Sequence, residues 1–476
     1  MAVHMTYARH LKAFAFAILG AVLVWQVVTG SLAAYLAGPA PETALSLAPG
    51  HSEALLNLAD RKLALLLAAA RPTGSAPDQV EQGAADTSQD AGERVRMFAE
   101  RAGRALGTGE QAKQAGREAD GSPAEVVSSD QIRAWAELAL VNEPLNARAL
   151  RILGQLAAIA KDEARANQFM EASARRSLHE KLPLYWLMVK NLERKNNVAA
   201  VYYADALLRT TPSSLPDVVP TLVYVMERTN AGDEVKARLA QNPPWRKAFL
   251  AIVSNHVSDP RTPLDLLLSL KDNPDPPTNA DLRAYLDFLV SKNQYELAYY
   301  AWLQFLPSEQ LTSVGLLFNG SFKRDPSGLP FDWVIASGAG VSTQIQPRPG
   351  QEDQRAVSIK FEQGRVEFDG VRQLLMLPPG TYQFAGKYRG EIVGRRGLRW
   401  RLLCGGTNAL LGESPMLVGL TPIWRDVEFL FTIPDNCRAQ QLRLDLDARS
   451  ASERLVTGSI WLDEIKVSRV PDVRDK

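Results

Sequence analysis

The chain has 476 residues, with 54 Lys+Arg against 53 Asp+Glu and a formal net charge of +1. That length exceeds one core and points to two or three domains, and near-neutral charge argues against a general nucleic-acid binder, which carries a basic excess or stripe. Hydrophobic residues at 46% and charged residues at 22% exclude wholesale disorder, while two cysteines exclude a disulfide-dense scaffold or a metal site built from four thiolates. The first element is apolar: residues 13–37 carry no charge and one strongly polar side chain, Gln26. At about 1.5 Å per residue this run crosses a hydrocarbon core of about 30 Å. Arg9 and Lys12 precede it, so residues 1–12 are expected in the cytoplasm and the bulk across the membrane. A cleaved signal peptide is the alternative, but it has a shorter core and an A-x-A-like exit that Tyr35-Leu36-Ala37 fits poorly. The expectation is an uncleaved, single-pass inner-membrane anchor with the C-terminal bulk in the periplasm.

Residues 41–312 read as short Ala- and Leu-rich helices separated by Pro, Asn and Asp. The helices are expected at 52–70, 130–141, 147–160, 163–176, 198–209, 281–292 and 295–305. The forms Ala44-Leu45…Pro49 and Ala139-Leu140…Pro144 share A-L-x-x-x-P, with a weaker copy at Leu207–Pro212. Pro144 and Pro212 are separated by two periods of about 34 residues. Leu153-Gly154, Ala166, Ala200 and Ala204 fall where such a unit wants small residues. This pattern resembles the tetratricopeptide repeat in a degenerate form, and the resemblance implies an α-solenoid that docks a protein partner. A plain spacer is the other reading. Residues from about 71 to 129 are poor in large apolar side chains and read as a flexible insertion, with one short helix at 93–106.

From about Ser313 the texture changes to strands between Gly/Pro turns, expected at 357–361, 364–368, 380–389, 398–403, 426–433, 441–447 and 459–467. Such a run without intervening helices argues for an antiparallel β-sandwich of jelly-roll type over 313–470. The fold class is thus multidomain α + β: a transmembrane helix, a helical array and a C-terminal sandwich. Cys404 and Cys437 both lie in this region and are a plausible disulfide, closing a loop of about 33 residues worth roughly 3 kcal/mol. Two free thiols are the alternative. The opening Leu317-Phe318-Asn319-Gly320-Ser321-Phe322…Trp333 and the ending Ile460-Trp461-Leu462-Asp463-Glu464-Ile465 resemble the first and last motifs of carbohydrate-binding jelly-roll modules. Many members of that family hold a structural calcium, which the resemblance would place at Asp463. Lys323 stands where the family has a glutamate ligand, and an ammonium repels the ion, so no cofactor is expected. The whole arrangement is similar to accessory proteins of bacterial exopolysaccharide clusters, which implies a polysaccharide ligand and protein partners in an assembly or export complex.

Sugar binding calls for aromatics that stack on pyranose faces beside polar groups. Tyr382, Tyr388, Trp400 and Trp424 are the candidates, and each reads more readily as a core aromatic of the sandwich. Arg389, Arg395, Arg396, Arg399 and Arg401 form a basic run. An anionic polysaccharide explains it through bidentate guanidinium–carboxylate pairs, and so do local ion pairs on a solvated face. The five histidines (His4, His10, His51, His179, His256) all precede the sandwich, so no Ser-His-Asp or Cys-His arrangement can be built within it. No enzyme is expected; a purely structural scaffold and, more remotely, a carboxylate-pair glycan hydrolase are the competing readings.

Overall fold

A computed structural model describes residues 2–69, 128–336, 338–368 and 370–471. The expected insertion and its short helix lie outside these residues, apart from 128 and 129. The chain divides into two compact units, Met1–Arg238 and Leu239–Lys476. The helices beyond residue 238 therefore group with the sandwich, although their texture is that of the helical array.

The first unit comprises α1 (Ala2–Leu36), α2 (Pro41–Leu47), α3 (Ser52–Ala69), α4 (Ser129–Asn142), α5 (Ala147–Ile159), α6 (Glu163–Arg176), α7 (Lys181–Glu193), α8 (Asn197–Thr210) and α9 (Leu215–Arg228), with α10 (Gly232–Ala240) at its end. Within α1, Ala17–Leu36 is long and apolar enough to cross a membrane. Its last turn and the residues after it pack Ala33 and Ala37 against Ala44 and Ala54, all fully buried. Helix starts recur every 34 residues, at Ser129, Glu163 and Asn197 and again at Ala147, Lys181 and Leu215. The caps keep the same beat. Ser128, Asp162 and Asn196 each accept a hydrogen bond from the backbone N–H three residues on, worth about 1 kcal/mol apiece. Ala166 and Ala200 are fully buried between helices. The sequence hides α7 and α9 behind prolines: Pro183 and Pro216 sit in first turns, where the lost N–H had no partner to bond, while α9 also carries Pro220 in its interior. A buried Arg151 joins α3, α5 and the start of α7, with contacts of 2.8 Å to Asp60 and to Glu180.

The second unit begins with α11 (Arg246–Ile252), α12 (Thr262–Ser269), α13 (Asn279–Ser291), α14 (Tyr295–Phe305) and α15 (Ser308–Leu311). Ten strands follow among the described residues: β1 (Val334–Ile335), β2 (Val341–Arg348), β3 (Gln351–Phe361), β4 (Val371–Leu375), β5 (Gly380–Val393), β6 (Leu398–Cys404), β7 (Leu410–Glu413), β8 (Gly419–Ile433), β9 (Gln440–Leu446) and β10 (Thr457–Arg469). They form two antiparallel five-stranded sheets, β1-β4-β9-β6-β7 (sheet A) and β2-β3-β10-β5-β8 (sheet B). Residues 364–368, expected as a strand, contribute a single bridge at Arg365; Gly364 is left-handed at φ +119 and breaks the run. Inner-facing Val357, Ile359, Phe384, Ile460 and Leu462 of sheet B meet Leu398, Trp400, Leu402, Leu442 and Leu444 of sheet A in one core.

The opening and closing motifs lock together. The Ile465 N–H donates to Gly320 O at 2.9 Å, and a Cβ on Gly320 would stand 1.9 Å from Ile465 O, so only glycine permits the approach. Trp333 donates from Nε1 to Asn319 O at 3.0 Å and packs on Phe322. Cys404 and Cys437 are joined in a disulfide with a sequence separation of 33, worth about 3–4 kcal/mol in the chain-entropy model.

Helix α14 is fastened to the sandwich by aromatic contacts. Trp302 lies 5.2 Å from Phe318 and 5.7 Å from Phe331, and Tyr299 lies 5.1 Å from Phe331, centroid to centroid. Trp302, Phe318 and Phe331 are all buried. Trp302→Ala should therefore cost about 3–5 kcal/mol in urea denaturation of the chain. A fragment beginning at residue 313 should expose Phe318 and Phe331 and aggregate, whereas one beginning at 239 should unfold in a single cooperative step; equal behaviour of the two fragments would refute this packing.

Candidate functional site

Alternation along a strand decides which side chains leave the core. In β10, Ile460 and Leu462 point inward at 2% and 1% exposure, so Trp461 between them points out and is half-buried. Its cross-strand neighbours are Ser358 on β3 and Arg389 on β5, and Ser358 in turn faces Gln344 on β2. A polar row with one indole thus crosses the outer face of sheet B. Neither Trp461 nor Arg389 has a side-chain hydrogen-bond or ion-pair partner among the described residues.

One end of this face holds an ionic cluster. The β10 ladder shifts register between Asp463 and Lys466, and Glu464 within the bulge is left-handed at φ +52. Arg348, at the end of β2 and only 5% exposed, donates from Nη1 to Asp463 Oδ2 and Glu464 Oε1, both at 2.8 Å. Its guanidinium lies 4.3 Å from the Trp424 ring centroid. Lys387 Nζ completes the cluster at 2.9 Å from Glu464. Desolvation raises the Asp463 carboxyl despite the Glu464 N–H and Arg348 beside it. Hydrogen bonds from Arg348 and Lys387 lower that of Glu464. Calcium does not fit here: both Asp463 oxygens are engaged, one by the Glu464 N–H at 2.6 Å and one by an arginine whose charge repels a cation.

The residues singled out from sequence separate accordingly. Tyr382 and Trp400 are 1% and 0% exposed, so they offer no ring face to a ligand. Both belong to inward-facing registers: Tyr382 stacks on Phe431 and donates to Pro378 O, and Trp400 packs between Trp333 and Phe384. Tyr388 is half-buried against the same core. Trp424 sits where β8 slips register against β5 and is occupied by Arg348. Arg389 alone stands free beside an outward aromatic. That aromatic, Trp461, is missing from the sequence-based candidates, although its position between two aliphatics in the closing strand is a signal that could have found it.

The basic run divides between the sheets. Arg396, Arg399 and Arg401 lie in or beside sheet A and pair locally: Arg399 with Glu413 at 2.7 Å, Arg396 with Asp447 at 3.5 Å, and Arg401 with Asp447 and Glu413. Desolvation pushes Asp447 up, but the Arg401 hydrogen bond and the charges of Arg401, Arg399 and Arg396 outweigh it and hold the carboxyl below its ordinary range. Its stabilisation is therefore complete above the unfolded-state pKa of about 3.9 and is lost as pH falls through the lower folded value. Asp447→Asn should cost about 1.5–3 kcal/mol at pH 7. In urea denaturation the deficit should hold to about pH 5 and close below about 3.9; an undiminished deficit at pH 2 would refute the ion-pair account.

No family model matches the chain, and no curated protein does. Among solved structures, the chain is similar to one described as "CBM4 structure and function", at 17% identity over 32% of this chain and 99% of that one, with a TM-score of 0.25. A second is the structure of TmCBM61 in complex with β-1,4-galactotriose, at 20% identity over 33% and 100%, with a TM-score of 0.23. A third is a carbohydrate-binding module from Cellvibrio mixtus lichenase 5A in complex with cellotriose, at 10% identity over 29% and 92%, with a TM-score of 0.19.

Proposed function

We propose that the sandwich binds a polysaccharide on the outer face of sheet B, and that the chain is a membrane-anchored accessory protein of polysaccharide assembly or export, not an enzyme. The observation that carries the glycan reading is the unpartnered Trp461–Arg389 pair set in a row with Ser358 and Gln344. An indole supplies the apolar platform for a pyranose face, and the flanking groups supply donors and acceptors for its hydroxyls. The anchor reading is supported by the tail of α1: Asn57 donates to Ala37 O and Arg61 to Gly38 O, so cleavage there would strip one wall from a packed cluster. A disulfide favours an oxidising compartment such as the periplasm. The 34-residue recurrence supports a tetratricopeptide-like array with a surface for a protein partner. The carboxylates of the sheet B cluster are tied to Arg348 and Lys387, which favours a binding role over hydrolysis. Burial of Tyr382 and Trp400 is what favours the rival reading, a scaffold without sugar affinity.

Affinity electrophoresis of the full chain in detergent, through gels containing alginate, polygalacturonate or dextran, separates the two. At least one polymer should retard the protein. Trp461→Ala should weaken that retention about tenfold, about 1.4 kcal/mol, with circular dichroism unchanged. Retardation by none of them, or retention indifferent to Trp461, would overturn the glycan reading.

A further inference from the structure

We infer that a second site, in the cleft between α13 and the β1/β4 edge of sheet A, takes the carboxylate-bearing residue of an acidic glycan; this rests on the glycan reading above. The cleft holds about 240 Å³ and is lined by Arg283, Asp287 and Val290 of α13 with Pro330, Val334, Arg372, Leu374 and Gln441. That volume is below the range of about 300–1,000 Å³ found for drug-sized ligands, so it suits one small ring. Arg283 on the helix wall and Arg372 on the strand wall both act on Asp287 through charge, but neither has a hydrogen bond or an ion pair within 4 Å among the described residues. Arg443, directly across from Arg372 on β9, is by contrast paired with Asp445.

Arg283 is held in place by the loop before β1. Gly328 is left-handed at φ +74, and a Cβ there would stand 2.7 Å from Arg283 Nη2, so the guanidinium occupies the space a side chain would fill. Asp287 lies within the field of both guanidinium groups, burial raising its carboxyl against their pull, and its single carboxylate leaves the lining with an excess positive charge. Two planar forks match a carboxylate bidentately. Pro330, Val334 and Leu374 offer apolar surface to the C–H face of a ring, and Gln441 offers a donor and an acceptor to its hydroxyls. A uronic acid combines these requirements; a neutral hexose lacks the charge and a bare anion lacks the ring.

Calorimetric titration of the full chain in detergent with galacturonate, galactose and acetate tests this. Galacturonate should bind saturably, with galactose and acetate each at least about tenfold weaker. Arg283→Gln with Arg372→Gln should remove galacturonate binding, and Arg372→Gln alone should weaken it about tenfold if the double variant does not fold. Asp287→Asn should strengthen it. Absence of saturable galacturonate binding, equal affinity for acetate or galactose, or indifference to the arginine variants would overturn the inference. Polymer retention that still depends on Trp461 alongside such a result would sink this site alone; retention by no polymer would sink the glycan reading itself.

Discussion

The second unit depends on the burial of Trp302 between Phe318 and Phe331. Those two phenylalanines come from the segment leading into β1, so the indole of α14 closes the sandwich where its chain begins. Aromatic burial of this kind dominates core energetics because each ring removes a large apolar area from water. The cleft beside α13 exists for the same reason: once α14 is fastened, α13 stands beside sheet A, and Arg283 and Arg372 line the space between them. Without that contact there would be a β-sandwich with an open apolar end and no second wall for the cleft.

The two sheets treat their outer faces differently. Sheet A carries guanidinium and carboxylate groups in nearly matched numbers, so Arg396, Arg399, Arg401 and Arg443 neutralise themselves against Glu413, Asp445, Asp447 and Glu453. Such a network contributes locally and presents little net field. Sheet B ties its Asp463/Glu464 corner to Arg348 and Lys387, pairs Arg355 with Asp325, and leaves Arg389 without an ion-pair partner among the described residues beside Trp461. Free valence for a ligand therefore sits on sheet B and in the α13 cleft.

Local patterns made much of this architecture legible. The strands containing Val357–Phe361 and Gln441–Leu446 announced themselves by alternation, and α6 and α14 by apolar periodicity between turn residues. Boundaries between units did not, because the helices after residue 238 share the composition of those before it and only tertiary contacts reassign them. The burial of two aromatic candidates was hidden for a related reason. Tyr382 and Trp400 have strand neighbours that look half-buried from either side, and the facing sheet decides which side is the interior. The carboxylate partners of Arg348 lie more than 100 positions downstream, at Asp463 and Glu464, beyond any local signal.

The pair Cys404 and Cys437 has a consequence for how the chain matures. With only two cysteines in 476 residues, intramolecular oxidation has one product, and there is no mispaired isomer to resolve. Closing the bridge needs an electron acceptor and a thiolate, but no shuffling catalyst. Because the bridge ties the end of β6 to the turn between β8 and β9, it can form as soon as those strands meet. Oxidation is thus a direct readout of sandwich assembly.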